Sequence, residues 1–137
     1  MRATTRTQER REQIEATGAE CFIGDPDRLA TLRPALDGVT IACWLLSCVS
    51  GPDDQVKALH GSRLEFFLSQ IIDTPVRGFV YEAHPGVLDE LTSAAAIKTV
   101  REMTSRNSIP LALIQTDPAD RAGWEIDAHA AISSLLR

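Results

Sequence analysis

The chain has 137 residues, 44% hydrophobic and 24% charged, with a formal net charge of −5. That is the size and balance of one globular domain, and the acidic excess argues against a nucleic-acid binder, which would show a basic face. No stretch approaches the roughly 18 apolar residues of a membrane span. The longest apolar run, Val39 to Val49, is interrupted by Thr40, Ser47 and two cysteines. The first residues, Met1 to Arg6, lack the apolar middle of a signal peptide, so a cytoplasmic location is expected. Arg2, Arg6, Arg10 and Arg11 read as a solvated basic start.

Helix formers fill residues 7 to 17, with Thr7 as the expected N-cap and Gly18 as the stop. Residues 19 to 23 form a short apolar strand that ends in the turn Gly24-Asp25-Pro26. Asp27 is expected to cap a short helix carrying Leu29, Leu32 and Leu36, and Asp37-Gly38 ends it. Residues 39 to 46 are apolar on both faces, as a central parallel strand should be. After a loop at 50 to 54, apolar residues at 64, 67, 68, 71 and 72 make one helical stripe, closed by Thr74-Pro75. Residues 76 to 81 read as a strand broken by His84-Pro85-Gly86. Leu88, Leu91, Ala95 and Ala96 begin the inner face of a helix that ends near Asn107. Residues 109 to 114 are the next strand and 124 to 136 the last helix.

Strands alternating with helices over short loops predict one α/β domain, residues 1–137, with a doubly wound parallel sheet and right-handed crossovers. Ile41, Trp44, Leu45, Phe79 and Val80 are its expected buried strand residues. Leu64, Phe67, Leu68 and Ile71 should cover them. Cys21, Cys43 and Cys48 are odd in number and lack a Cys-x-x-Cys pair, so neither a disulfide nor a zinc site is expected. Cys21 and Cys43 lie in apolar runs and read as small hydrophobes, while Cys48 is the more exposed candidate. His60 and His129 have no ligand spacing and read as surface or helix-packing residues.

In order and spacing the chain resembles the atypical, epimerase/dehydratase-like branch of the short-chain dehydrogenase/reductase superfamily, an NAD(P)-binding Rossmann family. Residues 2–6 resemble the end of its second strand, 18–25 its third strand with the following aspartate, 36–47 a short helix and fourth strand, and 76–81 its fifth strand. The resemblance implies NADP or NAD as cofactor, with Arg2 and Arg6 toward the adenosine phosphate, Asp25 beside the adenine, and Leu46 and Ser47 along the cofactor. For the arginines and Asp25 the alternatives are a solvated strand end and a turn-forming carboxylate.

The chain departs from this family in two ways. No Gly-x-Gly-x-x-Gly follows an opening strand, so the expected fold is an N-terminally truncated sheet without the first strand and first helix. A shortened reading frame is the preferred explanation, because residues 2 to 6 look like the inside of an element, and a degenerate remnant is the other. The only tyrosine, Tyr81, is followed four residues on by Pro85 rather than the lysine that would tune its phenol, so no catalytic residue is assigned. His84 stands close to where active relatives place a serine. The expected function is a dinucleotide-binding protein of this type without catalysis and with weak or lost cofactor binding. The alternatives are a non-enzymatic scaffold or redox-sensing module, and an active NADP-dependent oxidoreductase or isomerase whose start lies upstream. An open sheet centre would also favour a homo-oligomer.

Overall fold

A computed structural model describes residues 1–86 and 88–137. Among these residues there are five parallel strands in two sheets. The first sheet pairs β1 (Arg2–Thr5) with β2 (Glu20–Ile23). The second is ordered β3 (Ile41–Trp44), β4 (Gly78–Glu82), β5 (Leu111–Ile114). Among the described residues no strand lies between β1 and β3.

The helices are α1 (Arg11–Glu15), α2 (Asp53–Leu59), α3 (Ser62–Ile71), α4 (Glu90–Arg106) and α5 (Arg121–Leu135). Two local expectations are corrected. The helix foreseen at 7–17 is a 3-10 turn followed by the five residues of α1, and Thr7 makes no side-chain cap. The helix foreseen after Asp27 is two 3-10 turns, Leu29–Thr31 and Arg33–Leu36. Pro34 sits in the first turn of the second piece, and without an N–H it cannot continue an α-helical ladder from the first. Gly18 ends the α1 segment as expected, at a φ of 90° that an L side chain rarely adopts.

Alternation along the strands sorts the core into two layers. On one face Ala42, Trp44, Phe79 and Tyr81 pack against Leu64, Phe67, Leu68 and Ile71 of α3 and Ala96 and Val100 of α4. The rings of Trp44, Phe67 and Phe79 form a row, with centroids 4.8 and 6.2 Å apart. On the other face Val80 and Ile114 pack against Ala131 and its neighbours on α5. The inner stripe of α4 is Ser93, Ala96, Val100 and Thr104, whereas Leu91 is 85% exposed and Ala95 also faces solvent. The helix starts at the Asp89 cap, whose carboxylate accepts from Thr92 N at 2.7 Å, and this phasing turns Leu91 outward.

The expected strand core holds for Trp44, Phe79 and Val80. It does not hold for Leu45, which is 41% exposed, nor for Ile41, which is only half-buried. Cys43, expected as a buried hydrophobe, is exposed. All three lie on the α5 face of β3. α5 packs over β4 and β5 and reaches Ile41 at the start of β3, but leaves Cys43 and Leu45 exposed.

Candidate functional site

In α/β sheets ligands collect outside the carboxyl ends of the strands. Two groups of side chains meet that description here. The first follows β1 and β2. Arg6, just past β1, lies 3.4 Å from Asp25, just past β2, and 3.5 Å from Asp27. Asp27 also receives Arg63, from the first turn of α3, at 3.4 Å. Asp25 shapes its turn as well, accepting from Asp27 N at 2.9 Å. Parallel pairing of β1 with β2 is what brings Arg6 and Asp25 together across 19 residues of sequence.

Arg2 is placed elsewhere. It opens β1, at the opposite end of the strand from Arg6. Its guanidinium donates to the carbonyls of Ala35 and Asp37, stands 3.9 Å from Glu20 and covers the ring of Phe22. Those contacts tie β1 to the segment that leads into β3.

The second group follows β3, β4 and β5. Leu46 and Ser47 lie just beyond β3, and Ser47 is 2% exposed. Glu82, the last residue of β4, is buried and accepts at both oxygens: Ser47 N at 2.8 Å and Trp124 Nε1 at 2.6 Å. It therefore joins the β3 loop to the first turns of α5. Asp127 does the same for β5, accepting from Gln115 N, Thr116 N and Thr116 Oγ1 at 3.0–3.3 Å. His84 accepts from Gly86 N at 3.2 Å through Nδ1, and its Nε2 stands 4.0 Å from Asp117. No hydrogen bond or ion pair among the described residues links this group directly to Arg6 and Asp25.

An open cleft of about 350 Å³ lies at this edge on the α5 side, lined by Leu45, Cys48, Glu82, Pro118 and Trp124. The ion pair Arg121–Glu125 stands at its mouth. A cleft of similar volume at the opposite end of the sheet, between Ile72, Arg77, Asn107 and Pro110, is at the wrong end of the strands for this fold's ligands. Among the described residues no group of three His, Cys, Asp or Glu side chains is placed to hold a metal, and no helix is long and apolar enough to cross a membrane.

Tyr81 and His60 form a buried pair behind this edge. His60 Nε2 donates to Leu46 O at 3.0 Å, which leaves Nδ1 to accept from the Tyr81 hydroxyl at 2.7 Å. Trp44 Nε1 donates to Leu59 O at 3.0 Å beside it. Burial, with the nearby Glu82 charge, pushes the Tyr81 phenol far above its ordinary range, so it keeps its proton. Burial also lowers the His60 pKa, against a smaller opposing effect of the Leu46 carbonyl and Glu82.

Folded His60 thus binds a proton less readily than unfolded His60, so its contribution to stability is present above the unfolded pKa and is lost as pH falls. On going from about pH 7.5 to about pH 5, through the unfolded histidine pKa of about 6.5, the wild type should lose more stability than His60→Gln in urea titrations. Equal losses in the two proteins would show that His60 is not the group responsible.

The sequence pointed to Arg6, Asp25, Leu46 and Ser47 at strand ends, and the structure places all four there. It did not point to Glu82, Trp124 or the His60–Tyr81 pair. The one available sign for Glu82 was an acidic residue closing an otherwise apolar strand.

The architecture is that of a Rossmann-type α/β protein with parallel strands and helices on both sides of the sheet. No protein-family model matches the chain, and no curated protein matches it. Two solved structures of triphenylmethane reductase from Citrobacter sp. share the fold. The one complexed with NADP(H) superposes with a TM-score of 0.61 at 16% identity, and covers 83% of this chain and 39% of the reductase. The other gives a TM-score of 0.59 at 18% identity, with 83% and 38% covered. The chain thus spans about two fifths of the length of these reductases.

Proposed function

We propose that this chain is a partial NAD(P)-binding domain of the Rossmann type, of the atypical epimerase/dehydratase-like kind, that holds a dinucleotide weakly and carries no catalysis of its own. The observation behind this reading is the pair Arg6–Asp25 at the carboxyl ends of two adjacent parallel strands. A guanidinium there suits the adenosine phosphate of NADP, and the carboxylate suits the adenine amine. Leu46 and Ser47 continue the edge beyond β3. A similar fold in a reductase complexed with NADP(H) agrees with this reading.

The residues present fit the adenosine end of the cofactor and not its pyrophosphate. The cradle for that group is a glycine loop opening a helix after the central strand. Among the described residues no strand or helix occupies that position. Catalysis is also unsupported, because the Tyr81 hydroxyl is buried and spent on His60.

Each charge-assisted bond to pyrophosphate contributes about 1.5–3 kcal/mol, and losing three weakens binding about a thousandfold or more. Calorimetric titration of the chain with NADPH and with NADH should therefore show no binding in the micromolar range. Arg6→Ala should abolish any residual preference for NADPH over NADH. Micromolar affinity for either cofactor would overturn the weak-binding part of the reading, and a preference unaffected by Arg6→Ala the assignment of Arg6.

A further inference from the structure

We propose that Asp27 is a resident anion at the adenosine-phosphate end of the site: its carboxylate holds Arg6 and Arg63 together, and a phosphate group takes its place on both guanidinium groups. Arg63 is then a second phosphate-binding residue, and Asp27 sets the discrimination between nucleotides with and without that phosphate. The inference rests on the reading of Arg6 given above and deepens it.

One carboxylate serves two cations from distant parts of the chain. Asp27 Oδ2 stands 3.5 Å from Arg6 Nη2, just past β1, and its Oδ1 3.4 Å from Arg63 Nε, in the first turn of α3. Arg6 Nε is also held by Asp25, at 3.4 Å. These distances exceed the roughly 2.7–2.9 Å of a charge-assisted hydrogen bond, so the pairs are loose. Neither guanidinium has a further hydrogen-bond or ion-pair partner among the described residues. Both arginine side chains are 46% exposed, which leaves their remaining N–H groups open to a ligand.

The charges of Arg6, Arg63, Asp25 and Asp27 cancel, so a phosphate dianion gains little here unless one carboxylate leaves. Asp25 is tied down, because its Oδ1 accepts from Asp27 N at 2.9 Å and closes the turn. The Asp27 carboxylate accepts no main-chain hydrogen bond among the described residues, and only its two ion pairs hold it. Half-exposed ion pairs are weak in water, whereas a phosphate held by two guanidinium groups gains charge-assisted bonds from both. The exchange therefore favours phosphate. It needs only a rotation of the Asp27 side chain, and the turn that Asp27 N makes with Asp25 stays closed. Asp25, left in place, keeps its position for the adenine amine, so the ligand is an adenosine that carries a phosphate monoester on its ribose.

The probes are adenosine 2′-phosphate, adenosine 5′-phosphate and inorganic phosphate, titrated into the full chain at low salt and followed by NMR. None carries a pyrophosphate, so the cradle for that group does not enter. Asp27→Asn keeps the shape and the main-chain turn and removes the charge. It should tighten adenosine 2′-phosphate about three- to tenfold, the effect of two released ion pairs, and change the 5′-phosphate less than about twofold. Arg63→Gln should weaken the 2′-phosphate about three- to tenfold, and in that background Asp27→Asn should gain less. Amide spectra that overlay the wild type away from the substituted residues separate these effects from a loss of fold. Unchanged or weaker 2′-phosphate binding in Asp27→Asn overturns the proposal, and so does an unaltered affinity in Arg63→Gln. Inorganic phosphate that binds as tightly as the 2′-phosphate overturns adenosine as the carrier. If Arg6→Ala still abolishes the preference for the 2′-phosphate, these failures leave the reading of Arg6 intact. No preference for the 2′-phosphate in the wild type or in Asp27→Asn overturns that reading, and this inference with it.

Discussion

Phe79→Ala should lower the free energy of unfolding by about 3–5 kcal/mol, the usual effect of removing a fully buried aromatic ring. Phe79 has no exposed surface, and it sits on the central strand of the three-stranded sheet. Its ring packs 6.2 Å from Phe67, which in turn packs 4.8 Å from Trp44. β4 is hydrogen-bonded on both edges and covered on both faces, so the backbone has little room to collapse into the cavity. A small domain has about 5–15 kcal/mol in total, so this one substitution removes a large share. A urea midpoint that stays within error of the wild type would show that the ring is not in the core.

The second large effect is expected at Glu82. Replacing it by alanine leaves the buried Ser47 N and the part-buried Trp124 Nε1 without an acceptor, and a buried orphan donor costs about 1–3 kcal/mol, a part-buried one less. Glu82→Ala should therefore destabilise by about 1–4 kcal/mol. The two bonds also make the effect separable. In a Trp124→Phe background one orphan has already gone, and Glu82→Ala should cost correspondingly less, a coupling that a double-mutant cycle reads directly. Strictly additive costs would mean that the Glu82–Trp124 bond contributes nothing. The loops after β3 and β4 should also loosen in the single variant, visible as faster amide exchange at Ser47.

β3, β4 and α3 were legible because each carries an apolar pattern, whereas β1 is polar and was read only from the resemblance. β3 and β4 lie in apolar runs, and Leu64, Phe67, Leu68 and Ile71 keep a helical period. Leu45 and Cys43 show where that signal overreaches. An apolar run on both faces implies cover on both, but cover depends on what else the fold places there, and α5 reaches Ile41 without covering Cys43 or Leu45. The segment 27–36 went astray for a local reason, since its leucines have helical spacing but Pro34 divides it into two tight turns.

The site was legible only in part. The resemblance supplied Arg2, Arg6, Asp25, Leu46 and Ser47, and all but Arg2 lie at the carboxyl ends of strands. The Glu82 and His60 contacts join residues 35, 42 and 21 positions apart, and periodicity carries no information about such pairs.

Gly86 follows β4 at a φ of 57°, and a Cβ on it would collide with the Ser47 carbonyl oxygen in the loop after β3. The two loops are thus geared, backbone against backbone, while Glu82 holds Ser47 from below and His60 holds the neighbouring Leu46. Loops at the rim of a sheet usually lengthen and shorten independently of one another. On this rim an inserted or deleted residue in either loop must be matched by a change in the other. Diversity among relatives at this edge is then expected as paired changes, with the glycine kept wherever the Ser47 loop keeps its length.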